Sequence, residues 1–322
     1  MKAILCKAYG PIDSLALEDV AEPEATGSKI VIKAHAIGVN YPDGLLVQGL
    51  YQAKPDLPFV PGMEMAGVVE SVGPDTRRLT PGMRVIATAG TGAFAEKGLY
   101  AEAQCIPLPD AIDDADACAL MCGFGTSHHA LKQRGQLKPG ETLIVAGAAG
   151  ATGLAAVQIG KAMGATVIAI ASTEEKRKAA GDAGADHVVG YDNLKDTLRE
   201  LAGGQGVDVV FDPVGGDTFD TLVRTMARNG RYLVVGFAAG RIPQLPVNLA
   251  LVKEFSLVGV FWGAFTQHEP AVYAENVREL FNWYIDGKVK PLISGRHPLS
   301  DAPKVLTQLM ERGVSGKIVL EP

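Results

Sequence analysis

Apolar residues fall into two different rhythms along this chain. Up to about residue 120, short β-like runs alternate with glycine and proline turns. Residues 30–34, 66–72 and 84–87 read as strands, with breakers at Pro61-Gly62, Gly73-Pro74 and Pro81-Gly82. That spacing predicts a compact β-barrel-like domain. Beyond residue 120, apolar runs of strand length alternate with helical patterns. Strands are predicted at 143–146, 167–171, 187–189, 207–211, 231–235 and 256–260. The clearest helices between them are 154–163, 174–183 and 194–202. Alternation of this kind predicts a doubly wound parallel sheet, whose strands are covered on both faces and so read as nearly continuous apolar runs.

The last stretch leaves this alternation. A helix at 273–286, a proline-bounded strand, a helix at 302–312 and a strand at 317–320 follow. The expected organisation is therefore one domain interrupted by another. Residues 1–122 and 265–322 form the first and 123–264 the second, with a site expected in the cleft between them.

One turn carries candidate chemistry. The run Thr142-Leu143-Ile144-Val145 leads into Ala146-Gly147-Ala148-Ala149-Gly150-Ala151-Thr152-Gly153, and a helix follows. Strand, glycine turn and helix together aim a helix N-terminus, with its unpaired N–H groups and positive dipole end, at a diphosphate. The pattern departs from G-x-G-x-x-G: Ala148 takes the first position and Gly147 sits one residue early. Such a turn also joins strands to helices that bind nothing. The strand at 166–170 completes a βαβ unit of the required length and favours dinucleotide binding.

Composition narrows the classes. The 322 residues are 47% hydrophobic and 20% charged, which excludes general disorder and favours two domains. A net charge of −6 argues against a nucleic-acid surface or a basic membrane contact. No apolar run approaches the roughly 18 residues of a membrane span. Lys7 interrupts the N-terminal apolar stretch before a signal-peptide core can form, so a cytoplasmic protein is expected. The four cysteines, Cys6, Cys105, Cys118 and Cys122, form neither a disulfide framework nor a C-x-x-C pair, and read as reduced thiols.

Four segments together resemble a known family. They are Gly38-Val39-Asn40-Tyr41-Pro42-Asp43, the run from Phe59 through Pro61-Gly62-Met63-Glu64 to Val68, Ala148 to Gly153, and Val258-Gly259-Val260-Phe261-Trp262-Gly263. The chain is identified as similar to the medium-chain dehydrogenase/reductase superfamily, in its zinc-free quinone oxidoreductase (zeta-crystallin-like) branch. The likeness covers essentially the whole length. It implies an α/β protein with a GroES-like β-barrel catalytic domain and a Rossmann domain with a doubly wound parallel sheet.

The resemblance also speaks to zinc. Zinc-dependent relatives have a cysteine where this chain has Asn40, a histidine where it has Met63, and a cysteine matching Cys122. One thiolate cannot replace the three protein ligands of a catalytic zinc, so no metal is expected. Glu64 reads as a supporting or structural carboxylate. His128-His129 is the other tempting cluster. Adjacent histidines on a helix point about 100° apart, so they read as structural or solvent-facing.

The second strand of the βαβ unit ends Ala171-Ser172-Thr173 rather than in an acid, and Lys176-Arg177-Lys178 follows. Hydroxyls beside cations suit a 2′-phosphate, although Ser172 with Glu175 also reads as a capping box. NADPH-dependent relatives use residues matching Lys176 and Tyr191 on that phosphate, so the resemblance implies NADPH. It further places Asn40, Thr126, Gly236, Phe237, Phe261 and Gly263 near the nicotinamide end, and Arg312 on the cofactor. Plain core or dimer packing is the alternative for Phe261 and Trp262.

Without zinc, the chemistry must suit an acceptor that takes hydride readily, such as a quinone or a conjugated enone. Tyr51, which matches an active-site tyrosine of relatives, and Tyr41 are candidate proton donors, with Asn40 beside them. The leading expectation is an NADPH:quinone reductase. An NADPH-dependent enone or enoyl-CoA reductase and a non-catalytic, crystallin-like NADPH-binding protein are the alternatives. The apolar edge strand at 256–260 predicts a homodimer.

Overall fold

The computed structural model describes residues 1–322. In chain order, the first segment carries strands β1 (Lys2–Leu5), β2 (Ala16–Asp19), β3 (Lys29–Val39), β4 (Glu64–Val72), β5 (Arg84–Thr88), β6 (Lys97–Ala101) and β7 (Cys105–Pro107), with helices α1 (Tyr41–Val47) and α2 (Asp114–Ala119). The middle carries β8 (Thr142–Val145), β9 (Thr166–Ile170), β10 (His187–Val189), β11 (Val207–Asp212), β12 (Met226–Val234) and β13 (Ser256–Gly259). Its helices are α3 (Gly125–His129), α4 (Ala151–Ala162), α5 (Glu174–Asp182), α6 (Leu194–Leu201), α7 (Thr218–Thr225), α8 (Val247–Lys253), α9 (Trp262–His268) and α10 (Pro270–Ile285). The tail adds β14 (Ile293–Pro298), α11 (Ala302–Met310) and β15 (Lys317–Glu321).

These elements form two compact units. One is Met1–Cys122 with Pro291–Pro322, the other Gly123–Lys290. In the first, a seven-stranded sheet has the order β14-β15-β3-β4-β5-β7, with β6 also paired to β3. Strand β3 is the hub. One edge holds β4, and the other is shared by β6 along Lys29–Lys33 and by β15 along Ile37–Val39. The apolar side chains of β3, β4 and β5 meet α1 and α11 in a core that includes Ile32, Ile37, Leu46, Met65, Val85, Val305 and Leu306.

The second unit is built on six parallel strands in the order β10-β9-β8-β11-β12-β13. From β8 the chain winds outward through β9 and β10, then returns to place β11 on the other side of β8. The strand order therefore reverses between β8 and β11, the place where such sheets open a crevice at their carboxyl ends. The strands are as apolar as their sequence predicts: Leu143, Ile144, Val145, Val167, Ile168, Val209, Val210 and Phe211 are all fully buried.

Residues 265–290 differ from expectation, for they belong to the second unit rather than to the interrupted first domain. Helix α10 buries Asn276, Val277, Leu280 and Phe281. Asn276 exchanges hydrogen bonds with Gln133 (2.9 and 3.2 Å), and Glu279 meets His128 Nε2 at 2.8 Å. Those pairings tie α10 to the helical run around α3. No helix of the structure is long and apolar enough to cross a membrane.

Candidate active site

In the second unit the glycine turn lies between β8 and α4, at the strand-order reversal. Gly150 is the N-cap of α4, and no side chain caps that end. The first intrahelical bond runs from Leu154 N–H to Gly150 C=O (2.8 Å), so Ala151, Thr152 and Gly153 have no helix carbonyl to donate to. Gly153 is required by close packing: a Cβ there would overlap the Gly147 carbonyl oxygen and come within 2.8 Å of Ala148 Cα. Gly150 is different. A Cβ there would meet only Gly147 O, at an ordinary 3.6 Å, and its φ of −70° suits any residue. The protein itself thus leaves the space over Gly150 open. A bare helix N-terminus with an open approach fits a diphosphate.

Helix α3 abuts this turn. Ser127 Oγ lies within hydrogen-bond distance of both Gly123 O (3.0 Å) and Thr152 O (2.8 Å), which share its single proton, and this pins α3, and Thr126 with it, to the first turn of α4. The other sequence candidates of this unit follow the carboxyl ends of its strands. Ser172 follows β9, Tyr191 follows β10, Gly236 and Phe237 follow β12, and Phe261 follows β13. Because the strands are parallel, all lie along the edge that carries the glycine turn. Gly263 sits in the first turn of α9. Phe261 is 57% exposed, whereas Trp262 packs over Gly125 and edge-on against Tyr273.

Two local readings change here. Ser172 does not cap α5. The N-cap is Thr173, whose hydroxyl accepts from Lys176 N–H (3.2 Å), and this sets Lys176 in the first turn of α5. Arg177, missed as a candidate, reaches back so that Nη1 donates to Ser172 O (3.0 Å), and the same nitrogen lies beside Gly190. A second cation therefore stands in the neighbourhood of Ser172 and the β10 end. Its signal was present in the Lys176-Arg177-Lys178 run.

His128 and His129 are buried, not solvent-facing. His128 Nδ1 has no partner, its Nε2 meets Glu279, and burial pushes its pKa down to about 4, so it is neutral. His129 stacks on Phe265, with ring centroids 3.9 Å apart. Both are packing residues.

In the first unit, Asn40 caps α1. Its N–H donates to Asp43 Oδ2 at 2.7 Å. Its side chain lies in a buried polar cluster: Oδ1 accepts from Lys317 Nζ (2.7 Å), and Nδ2 donates to Glu64 Oε1 (2.9 Å). Lys317 also pairs with Glu64 Oε1, and Glu64 Oε2 accepts from Cys122 N–H (2.9 Å). The sheet register explains the gathering. Ile318 opposes Val39 on antiparallel β15 and β3, which brings Lys317 beside Asn40. Glu64 opposes Gly38 on β4, where a Cβ would strike its carboxylate. Burial alone would push the Lys317 pKa down, but the charge and hydrogen bond of Glu64 together with the nearby Cys122 and Cys118 outweigh it and hold the ammonium charged. Burial pushes Asp43 up to about 7, against the Asn40 N–H bond and the Lys317 charge, and Asp43 Oδ1 has no partner.

A zinc ion does not fit these residues. Asn40, at the first ligand position of zinc-dependent relatives, has its amide engaged at both ends, and the ammonium beside it would repel a dication. Met63 and Cys122 do not supply, with Asn40, the three protein ligands that a catalytic zinc needs.

Tyr41 opens α1. Tyr51, in the loop after α1, packs against the first unit's core, and burial pushes its phenol up, with the Cys122 and Asp43 charges adding to the effect. Arg312 lies two residues past α11, whose Met310 packs against Gly44 of α1, and has a φ of 60°. The first unit thus gathers Asn40, Tyr41 and Tyr51 around α1.

Comparison with known proteins agrees with this architecture. A family model described as an alcohol dehydrogenase GroES-like domain matches residues 26–110, and one described as a zinc-binding dehydrogenase matches residues 151–281. A quinone oxidoreductase-like protein 2 homolog of Nematostella vectensis is 37% identical, over 99% of this chain and 88% of that protein. A quinone oxidoreductase of Rattus norvegicus is 32% identical, over 99% and 97%. The crystal structure of Escherichia coli quinone oxidoreductase complexed with NADPH superposes with a TM-score of 0.93 at 28% identity, covering 100% of both chains. The first unit is a GroES-like domain and the second a Rossmann-like one, and the chain belongs to the medium-chain dehydrogenase/reductase superfamily, in its quinone oxidoreductase branch.

Proposed function

We propose that this protein is a zinc-independent oxidoreductase that passes reducing equivalents from NADPH to a quinone. The observation that carries the reading is the uncapped N-terminus of α4, open over Gly150, at the reversal point of the parallel sheet. Similarity to a quinone oxidoreductase crystallised with NADPH supports the identity of cofactor and acceptor.

In this reading Gly147, Gly150, Ala151, Thr152 and Gly153 hold the diphosphate. Ser172, Lys176 and Tyr191 take the 2′-phosphate, with Arg177 adding charge. Thr126, Gly236, Phe237, Phe261, Gly263 and Asn40 serve the nicotinamide end, and Arg312 makes a further cofactor contact. The bound cofactor supplies a hydride. The chain's own part is to orient, to exclude water and to deliver a proton. Addition of hydride to a quinone leaves an oxyanion, and one proton completes the hydroquinone. Tyr51 is the first candidate for this proton transfer, because its loop follows α1, which Asn40 caps, and its phenol carries a proton to give. Tyr41 at the start of α1 is the second candidate.

The homodimer is proposed on the edge position of β13 and the apolar side chains exposed beyond it on α8, Val247, Leu251 and Val252. Light scattering that shows a monomer at micromolar concentration would refute it.

Steady-state NADPH oxidation with a panel of quinones and enoyl-CoA esters tests the function. Turnover with quinones is expected. Turnover confined to enoyl esters transfers the reading to an enoyl reductase, and none with any acceptor, despite tight NADPH binding, leaves a binding protein.

A further inference from the structure

Resting on the reading that Asn40 serves the nicotinamide end, we propose that Lys317 and Glu64 act as positioning residues that hold the Asn40 amide in a single orientation. The two ends of this amide meet opposite chemistry. Oδ1 accepts from the Lys317 ammonium at 2.7 Å, and Nδ2 donates to Glu64 Oε1 at 2.9 Å. Flipping the amide would set an N–H against an ammonium that has no acceptor, and a carbonyl oxygen against a carboxylate. Both contacts would be repulsive, and Lys317 and Glu64 are 2% and 1% exposed at their side chains, so water does not soften them.

The surrounding backbone holds both charges in place. Lys317 N–H donates to Leu292 O (2.8 Å), and the β15–β3 register sets its side chain beside Asn40. Glu64 is held from the other side by Cys122 N–H. Asn40 carries a second Nδ2 proton and a second Oδ1 lone pair, and the two charges fix which end of the amide presents each. The nicotinamide end would therefore meet a donor and an acceptor whose order cannot invert. The Lys317–Glu64 pair contributes orientation, and of these three residues only Asn40 touches the cofactor.

Side-chain amide hydrogen exchange tests this directly, on full-length protein labelled with 15N-asparagine and assigned with Asn40→Ala. The test variants are Lys317→Met and the neutral pair Glu64→Gln with Lys317→Met, which leaves no lone charge should the single variant not fold. In the native protein, without cofactor, the Asn40 amide protons are expected to exchange at least about tenfold more slowly than in the neutral pair. Equal exchange in both would overturn the proposal. NADPH titration is read separately. If it leaves the native Asn40 signals unmoved, the assignment of Asn40 to the nicotinamide end fails while its positioning by Lys317 stands. In turnover, Asn40→Ala and the neutral pair are each expected to lower kcat about tenfold or more, and their combination no further. Multiplying effects would mean that Lys317 acts elsewhere than through Asn40.

Discussion

The Asn40 side-chain oxygen accepts a 2.7 Å hydrogen bond from the ammonium of Lys317, a residue 277 positions later in the chain. This bond, with the Glu64 carboxylate that faces both residues, places a buried ion pair at the heart of the GroES-like unit. Removing one member of such a pair strands the other charge without water. Lys317→Met is therefore expected to cost about 3–5 kcal/mol, and Glu64→Gln in the same chain to restore most of it. Urea unfolding of the three proteins checks this. A single variant as stable as the native protein would contradict it.

Gly150 and Gly153 make a paired prediction. Gly153→Ala forces a Cβ into the Gly147–Ala148 backbone and should lower stability by more than 1 kcal/mol, roughly the scale of core overpacking. Gly150→Ala meets nothing closer than 3.6 Å and should leave the melting temperature unchanged. It should nevertheless weaken NADPH binding at least about tenfold, because the new methyl stands where the diphosphate approaches. Fluorescence titration and thermal unfolding separate the two effects. Unaltered NADPH affinity in Gly150→Ala would remove the diphosphate from this turn.

Choice between NADPH and NADH should rest on the first turn of α5. Lys176→Ala together with Arg177→Ala is expected to raise the dissociation constant for NADPH about tenfold or more while leaving NADH nearly unchanged, since only the former carries a 2′-phosphate. Equal weakening of both cofactors would show that these cations act on the fold instead.

Two buried groups give opposite pH dependences. His128 is neutral in the fold, with a pKa near 4, whereas an unfolded chain protonates histidine near 6.5. Its contribution is present above pH 6.5 and is lost as pH falls, by about 2 kcal/mol at pH 5. His128→Phe should flatten that acid limb. Asp43 runs the other way: its pKa of about 7 lies above the unfolded carboxylate value, so its contribution is present at low pH and lost as pH rises through 7. Most of that loss accrues between the unfolded value near 4 and the folded value of about 7, so Asp43→Asn should remove the corresponding loss between about pH 4 and 7. Chemical denaturation across pH checks both. An unchanged profile in either variant would overturn its assignment.

The sheet of the Rossmann-like unit was legible because parallel strands buried on both faces leave continuous apolar runs, and each predicted strand from 143–146 to 256–260 overlaps an observed one with bounds within one residue, except that β12 begins five residues earlier than the predicted 231. The glycine turn was legible because it is local. Lys317 was not, because its partners Asn40 and Glu64 are far away in sequence and meet it only through sheet register. Residues 265–290 were misplaced for a related reason: the amphipathic face of α10 announces burial without saying which unit covers it. The Thr173 cap was missed because Ser172 and Thr173 offer the same hydroxyl chemistry one residue apart, and only backbone geometry chooses between them. Arg177 stood unremarked in a run of cations until its side chain was seen to fold back on Ser172.

Metal-free hydride transfer from NADPH to a quinone is best tested in a single turnover. Protein stripped of metal by a chelator and loaded with one equivalent of NADPH is mixed with excess quinone, and the reduced-nicotinamide absorbance is followed. The absorbance is expected to be lost, with one quinone consumed per NADPH and a rate that the chelator does not change. Absorbance that persists with every quinone, or that falls only after zinc is returned, would contradict a zinc-independent quinone reductase.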